Sequence, residues 1–210
     1  MNPLPAQDLR SNQRTWAVPP RLTPAVVSVM RGSMPPEPHD PDFYGQELET
    51  TYFDTVDFDL RKARRRGDTY LTLRLRRYRP SEVYAISAKT ESSKFRMEIE
   101  PEQAEAILDG GTRALVEQLP ADFLARLLSL GIEDCLVPVV TVFARRYAVE
   151  NEVDRLTLDT GVRTDSGKVL PADVLEFKSA EWPAAPPPEL AQLRLRPVKI
   201  SKFLWATLWR

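Results

Sequence analysis

The sequence predicts an α+β fold, with about eight strands and several helices between them, on three observations. Apolar and charged residues alternate through the middle of the chain, which is typical of strands that bury one face. Other segments have helical spacing instead. A length of 210 residues with 42% apolar content fits one domain. We therefore expect a single domain over residues 1–210, with residues 1–12 as a flexible N-terminal tail.

The strands are predicted from a period of two in hydropathy. In the clearest case, Leu73 and Leu75 alternate with Arg74 and Arg76, so the two pairs point to opposite faces. The predicted strands are, in order, 13–18, 47–54, 70–78, 83–91, 94–100, 137–149, 153–159 and 173–179.

The helices are predicted where apolar residues recur every three or four positions. Pro24 and Pro188 stand near the starts of two short helices, where proline is favoured. The predicted helices are 24–31, 101–109, 112–130 and 188–193, followed by a short aromatic helix over 203–209.

Composition excludes several kinds of chemistry. With one histidine and one cysteine, the chain can form neither a Cys/His zinc cage nor an internal disulfide. His39 lies in a proline-rich, loop-like string, which disfavours a histidine-based catalytic triad. The net charge of -1 argues against a broad nucleic-acid-binding surface. Any chemistry must therefore depend on carboxylates, lysines and arginines.

The chain shows no targeting or membrane signal. Its first residues lack the apolar core of a signal peptide, and no stretch reaches the roughly 18–20 apolar residues of a membrane helix. We expect a cytoplasmic protein without direct membrane insertion.

Cations outnumber carboxylates on the charged strand faces. On an open two-layer sheet such a face simply meets water, whereas in a closed barrel the cations would converge on a lumen. Crowded cations repel unless an anion neutralises them, and arginine and lysine suit phosphate oxygens. The cations concerned are Arg74, Arg76, Lys89, Lys94, Arg96, Arg146, Arg155 and Lys178.

Carboxylates share some of these faces. Glu176 and Lys178 lie two residues apart on one predicted strand, and Asp159 shares a face with Arg155. Carboxylates that face a phosphate chain favour Mg²⁺ or Mn²⁺. The alternative is that Glu176 and Lys178 form an ordinary surface ion pair.

Residues 61–66 form a basic run with one alanine, followed by Gly67 and Asp68. We interpret this run as a solvent-exposed hairpin tip between two strands. Two alternatives are a surface that gathers a polyanion and a surface that binds nucleic acid.

Seven short motifs in order resemble the VTC domain, the polyphosphate polymerase branch of the triphosphate tunnel superfamily, which is related to CYTH domains. The resemblance spans about residues 46–205 and implies an eight-stranded antiparallel β-barrel tunnel with helices packed outside. The motifs are at 51–55, 73–78, 88–96, 145–148, 156–160, 174–178 and 201–203.

The resemblance also implies roles for individual residues. Catalytic contacts to the phosphates fall to Arg74, Arg76, Arg146 and Lys202, and further phosphate contacts fall to Lys89, Lys94 and Lys178. We expect Arg96 and Arg155 to bind phosphate as well, because they lie on the charged strand faces. Glu176 would hold the divalent metal, Mn²⁺ or Mg²⁺. The implied ligands are ATP, triphosphate or polyphosphate rather than nucleic acid; no protein partner is implied.

The first strand departs from the family pattern. The family reads Glu-x-Lys-aromatic there, but this chain has Gln13 and Thr15 in the likely place of the charged pair, and Arg14 could compensate only if the strand slipped by one residue. Three functions stay open: polyphosphate synthesis from ATP, which we favour, non-catalytic binding of a phosphate-rich anion, and hydrolysis of triphosphate.

Overall fold

A computed structural model describes residues 12–67, 70–91, 93–110, 112–132, 136–181 and 185–208. The predicted flexible tail lies outside these ranges except for its last residue, Asn12, which begins a strand. The described residues form two compact units. Unit 1 contains 49–142 and 202–208, and unit 2 contains 12–48 and 143–201, counting described residues only. A single domain over 1–210 stays a prediction.

All eight predicted strands are present, and a short ninth strand follows them. The strands are β1 (Asn12–Val18), β2 (Gln46–Thr55), β3 (Thr72–Arg79), β4 (Val83–Lys89), β5 (Lys94–Ile99), β6 (Leu136–Glu150), β7 (Asp154–Thr164), β8 (Asp173–Ser179) and β9 (Arg196–Pro197). The ninth spans two residues and includes a proline, so it carries no periodicity from which a strand could be predicted.

Seven α-helices accompany the strands in the described part of the chain. They are α1 (Thr23–Ser33), α2 (Asp59–Arg66), α3 (Pro101–Leu108), α4 (Thr112–Glu117), α5 (Ala121–Ser129), α6 (Pro188–Gln192) and α7 (Lys202–Ala206). The single helix predicted over 112–130 is wrong, because Pro120 interrupts it: α5 begins after Pro120, which has an extended backbone. Trp209, the last residue of the predicted terminal helix, lies outside the described residues.

The nine strands follow the order β5-β4-β3-β2-β6-β7-β8-β1-β9. Strands β2 and β6 contribute residues to both units. Antiparallel pairing joins β1 to β8 and β9, β3 to β4, β4 to β5, and β7 to β8. This order has nine members with β5 and β9 at its ends, whereas the resemblance implied a closed barrel of eight.

Each unit buries one apolar side of its strands. In unit 1, Leu73 and Leu75 of β3 pack with Ile86 of β4 and with residues of α3 to α5 such as Ile107 and Phe123. In unit 2, the corresponding side is formed by Leu156, Leu158, Leu175 and Phe177, together with Val26 and Met30 of α1. Charged residues such as Arg74 and Arg76 of β3 and Arg155 of β7 alternate with these and lie on the opposite side of each sheet region.

Helix α2 corrects the interpretation of residues 61–66 as a hairpin tip. The basic run is the body of a helix whose inner side carries Leu60 and Ala63, both buried. The carboxylate of Asp54, at the end of β2, accepts hydrogen bonds from the backbone N–H groups of Thr55, Leu60 and Arg61. Asp54 therefore supplies the acceptor that the first turn of a helix needs.

Burial raises the pKa of Asp54 above its ordinary value, although its backbone hydrogen bonds lower it in part. A raised pKa in the folded state contributes stability below about pH 3.9, the ordinary aspartate pKa, and this contribution is lost as the pH rises through the folded-state value. We expect the free energy of unfolding of the wild type, relative to Asp54→Asn, to fall as the pH rises from about 4 through the raised pKa.

Urea unfolding at a series of pH values measures this difference, and the exposed Asp57→Asn variant is the control. The pH slope is the measured quantity, so a constant loss of stability in Asp54→Asn does not affect the test. A pH-independent difference between wild type and Asp54→Asn would contradict the prediction.

Within the described ranges, no helix is both long and apolar enough to cross a bilayer.

Candidate functional site

The polar side of β3, β4 and β5 brings together five of the predicted cations, which we call the cationic face: Arg74, Arg76, Lys89, Lys94 and Arg96. The antiparallel register places Arg74 opposite Ser87, and Ser87 opposite Arg96. Lys89 and Lys94 are directly opposite each other. Side chains in such positions have Cβ atoms about 4.5–5.5 Å apart, and like charges there destabilise the sheet. The register therefore brings two like charges together at this end of the cationic face, an arrangement that attracts anions.

Arg76 is the most deeply placed cation of this face, with 8% of its surface exposed. Its Nε donates a hydrogen bond of 3.0 Å to Thr50 Oγ1 on β2. The guanidinium groups of Arg76 and Arg96 lie 5.8 and 5.3 Å from the ring centroid of Tyr78, within the range of a cation–π contact. Arg96 also pairs with Glu98 at 3.6 Å. These contacts hold the two guanidinium groups in place.

Two members of the cationic face lack an acidic partner. Among the described residues, the side chain of Arg74 forms no hydrogen bond, ion pair or ring contact, and the side chain of Lys89 contacts only the ring of Tyr70, at 5.8 Å. Nearby carboxylates usually neutralise cations on a folded surface, as Glu49 and Glu82 do for Arg77 on the opposite side of β3. The two sides of β3 therefore differ, since Arg77 is paired with carboxylates and Arg74, among the described residues, is not.

Lys202 begins α7, which packs on β2 within unit 1. The ring of the next residue, Phe203, lies 5.3 Å from the ring of Tyr52. Tyr52 is two residues from Thr50 and so shares the face of β2 on which Thr50 meets Arg76. The helix that carries Lys202 is therefore seated on the same side of the sheet as the cationic face.

In unit 2, Arg146 is bound to a carboxylate. Its Nε and one terminal nitrogen donate to the two oxygens of Asp159 at 2.6 and 2.8 Å. The side chains are 14% and 4% exposed, so the pair is largely shielded from water. A bidentate geometry of this kind fixes the direction of the guanidinium plane.

Arg155 also forms ion pairs with carboxylates. A terminal nitrogen lies 2.5 Å from Glu37, whose side chain is buried, and its Nε lies 3.6 Å from Glu150. The register places Arg155 opposite Lys178 on the polar side of β7 and β8. Arg146 and Arg155 of unit 2 are thus paired with carboxylates, in contrast to Arg74 of the cationic face.

Glu176 lies at the centre of the polar side of β8. One carboxylate oxygen is 3.2 Å from Lys178 Nζ, and the other accepts a hydrogen bond of 2.5 Å from the Gln13 amide. Thr15 of β1 and Thr157 of β7 are its direct neighbours across the strands. The two residues that depart from the family pattern are therefore next to the predicted metal ligand. Arg14 is paired with Phe177 on the other face, so the strand has not slipped.

These donors fit a divalent cation only in part. The described residues contain no group of three or more His, Cys, Asp or Glu side chains that could hold a metal ion. One carboxylate and one amide oxygen fit a hard cation that keeps water and phosphate as its other ligands, which is how Mg²⁺ is usually bound. They are too few to hold a cation by protein ligands alone.

Sequence reasoning missed Arg64 and Tyr70. The Arg64 guanidinium lies 4.0 Å from the centroid of the Tyr70 ring and donates to Thr72 Oγ1 at 3.2 Å. Gly67, which ends α2 with a left-handed backbone, was the available signal: a basic last turn followed by glycine is typical of a helix C-terminus.

Comparison with known proteins relates the whole described chain to one family. A model of the VTC domain family matches residues 10–207. Among curated proteins, none matches significantly.

Two solved structures share the fold. A candidate adenylyl cyclase from Hippeastrum, described as having a dominant triphosphatase activity, is 16% identical, with a TM-score of 0.62 over 91% of this chain and 92% of that one. A candidate adenylate cyclase from Bacillus halodurans is 18% identical, with a TM-score of 0.57 over 80% of each chain. These matches confirm the predicted fold class, an antiparallel sheet of the triphosphate tunnel type with helices, at the level of the overall fold.

Proposed function

Because this chain belongs to the VTC domain family, we propose that it binds the phosphate chain of a triphosphate or polyphosphate and transfers a phosphoryl group in a metal-dependent reaction. Synthesis of polyphosphate from ATP is the reaction we favour. The observation that carries the proposal is the cationic face, where Lys89 lies opposite Lys94 and where Arg74 has no partner among the described residues. A linear phosphate chain offers oxygens in succession, which suits cations arrayed along strands.

In the proposed reaction, an oxygen of the acceptor phosphate attacks the γ-phosphorus of ATP. The bond from that phosphorus to the β–γ bridging oxygen breaks, and ADP leaves with the electron pair. Such a transfer needs positioning and charge stabilisation more than a covalent nucleophile. We assign stabilisation of the transferred group to Arg74, Arg76, Arg146 and Lys202, and contacts along the phosphate chain to Lys89, Lys94, Arg96, Arg155 and Lys178.

A bound Mg²⁺ or Mn²⁺ would neutralise negative charge on the phosphate oxygens. We assign Glu176 to hold it, with water and phosphate as the remaining ligands. Gln13 then orients the Glu176 carboxylate through their hydrogen bond.

Non-catalytic binding is the second candidate, and the surroundings of Glu176 favour it. The neutral Gln13 and Thr15 stand where the family has a charged pair, and Lys178 already neutralises the Glu176 carboxylate. The cationic face does not depend on these residues. A chain with this composition could hold a phosphate-rich anion without turning it over.

One assay separates the candidates. We expect the protein with ATP and Mn²⁺ to release ADP and form long-chain polyphosphate, and we expect Glu176→Ala to slow turnover about tenfold because one oxygen ligand is lost. Tripolyphosphate affinity, measured by calorimetry, should change by less than about threefold in that variant, because the cationic face is intact. Glu181→Ala, which removes an exposed carboxylate beyond the end of β8, is the control.

The other outcomes are also informative. Tight tripolyphosphate binding without turnover, and without an effect of Glu176→Ala, would assign the chain to the binding class. Release of orthophosphate from tripolyphosphate without chain growth would assign it to hydrolysis.

A further inference from the structure

Arg64, on helix α2, lies on the same side of β3 as the cationic face. Its Nη1 donates to Thr72 Oγ1 at 3.2 Å, and Thr72 alternates along β3 with the buried Leu73. Arg74 is two residues further on and shares the side of Thr72. Lys89 is directly opposite Thr72 on β4. Arg64 therefore approaches the end of the cationic face at which Lys89 and Lys94 face each other.

Tyr70 holds two of these cations. The Arg64 guanidinium carbon is 4.0 Å from its ring centroid, and Lys89 Nζ is 5.8 Å from the same centroid. An aromatic face attracts cations within about 6 Å. The ring thereby keeps Arg64 and Lys89 close together, although they repel each other.

The guanidinium of Arg64 is left with unused donors. An arginine has five N–H groups, and Thr72 accepts from one of its nitrogens. Among the described residues, Arg64 forms no ion pair with a carboxylate. Burial lowers its pKa, and the neighbouring Tyr70, Tyr52 and Glu91 offset this effect only in part. Arg61, one turn earlier on the same helix, instead donates to the backbone oxygen of Thr207.

We propose that Arg64 is a phosphate-contacting residue, added to the cationic face by helix α2 and positioned by Tyr70. The site then extends from Arg76 past Arg74 to Arg64, and the five residues from Thr72 to Arg76 alone span about 13 Å of strand. That length suits a linear chain of several phosphates better than a single orthophosphate. The inference rests on the proposed function and extends its site by one residue.

Calorimetric titration with inorganic tripolyphosphate tests the proposal. We expect Arg64→Ala to weaken binding about tenfold, as for the loss of one charge-assisted hydrogen bond, and Arg64→Lys to restore part of the loss. The matched control is Arg65→Ala, which removes the same charge from an exposed position on the same helix and should stay within about twofold of wild type. Wild-type affinity in a folded Arg64→Ala variant would overturn the inference.

Arg74→Ala separates this inference from the proposed function. If Arg74→Ala weakens binding and Arg64→Ala does not, only the role of Arg64 fails. If the wild type does not bind tripolyphosphate, the proposed function fails and the inference fails with it.

A second measurement covers the case in which Arg64→Ala does not fold. Phenylglyoxal modifies accessible guanidinium groups, and mass spectrometry of the wild type locates the adducts. Tripolyphosphate should protect Arg64 and leave modification of Arg65 unchanged. Equal modification of Arg64 with and without tripolyphosphate would overturn the proposal.

Discussion

Replacing both Arg74 and Lys89 by alanine is expected to lower the affinity for tripolyphosphate at least about 100-fold, because two charge-assisted contacts are removed. The free energy of unfolding of the ligand-free protein should instead rise or stay the same. Lys89 is directly opposite Lys94, and removing one of two like charges in that position relieves up to about 1 kcal/mol of repulsion. Calorimetry measures the affinity, and urea unfolding without ligand measures the stability.

The opposite side of β3 provides a matched control. Arg77→Ala with Arg79→Ala removes the same amount of charge, here entirely from β3, but these two arginines pair with Glu49 and Glu82 instead of lining the cationic face. The affinity of this control for tripolyphosphate should stay within about threefold of wild type, since the two arginines lie away from the cationic face. The loss of their exposed ion pairs should cost little stability. Equal losses of affinity in the two double variants would show that net charge alone attracts the anion.

The second large effect is expected at the Arg146–Asp159 pair. Replacing Asp159 by alanine should lower the free energy of unfolding by about 3–5 kcal/mol, because a largely buried guanidinium loses both of its bidentate hydrogen bonds. Asp42→Ala, which removes an exposed carboxylate, should change stability by less than about 0.5 kcal/mol. Urea unfolding of both variants provides the comparison.

An apolar double replacement distinguishes charge burial from packing. Arg146→Met with Asp159→Leu removes both charges, and we expect it to recover most of the stability lost in Asp159→Ala. A small effect of Asp159→Ala, below about 1 kcal/mol, would contradict the assignment of a shielded ion pair.

The strands of unit 1 could be predicted almost to the residue because their alternation is strict. From Leu71 to Leu75 every second residue is apolar, and the same holds for Phe95 and Met97 in β5. Helix α2 could not be predicted in this way, because Leu60 and Ala63 are its only buried residues and five of its eight residues are basic. Its start depends on Asp54, which belongs to the preceding strand, and propensity within the segment does not show that contact.

The candidate site, too, could be predicted from the sequence only in part. Periodicity correctly grouped the five cations of β3 to β5 on one side of the sheet. It did not predict that Asp159 binds Arg146, or that Glu37, from a proline-rich loop, binds Arg155, because these contacts join residues distant in sequence. Arg64 was missed for the same reason: Tyr70 and Thr72 determine its place after the chain has turned.

The opposition of Lys89 and Lys94 across two neighbouring strands has a thermodynamic consequence. An anion that binds only the folded state shifts the unfolding equilibrium, by about 2.7 kcal/mol when its concentration is a hundred times its dissociation constant. Under the proposed function, stability is therefore not fixed by the chain alone. Phosphate-containing solutes that bind the cationic face stabilise the folded protein. The melting temperature in a given buffer therefore depends on the anions present as well as on the fold.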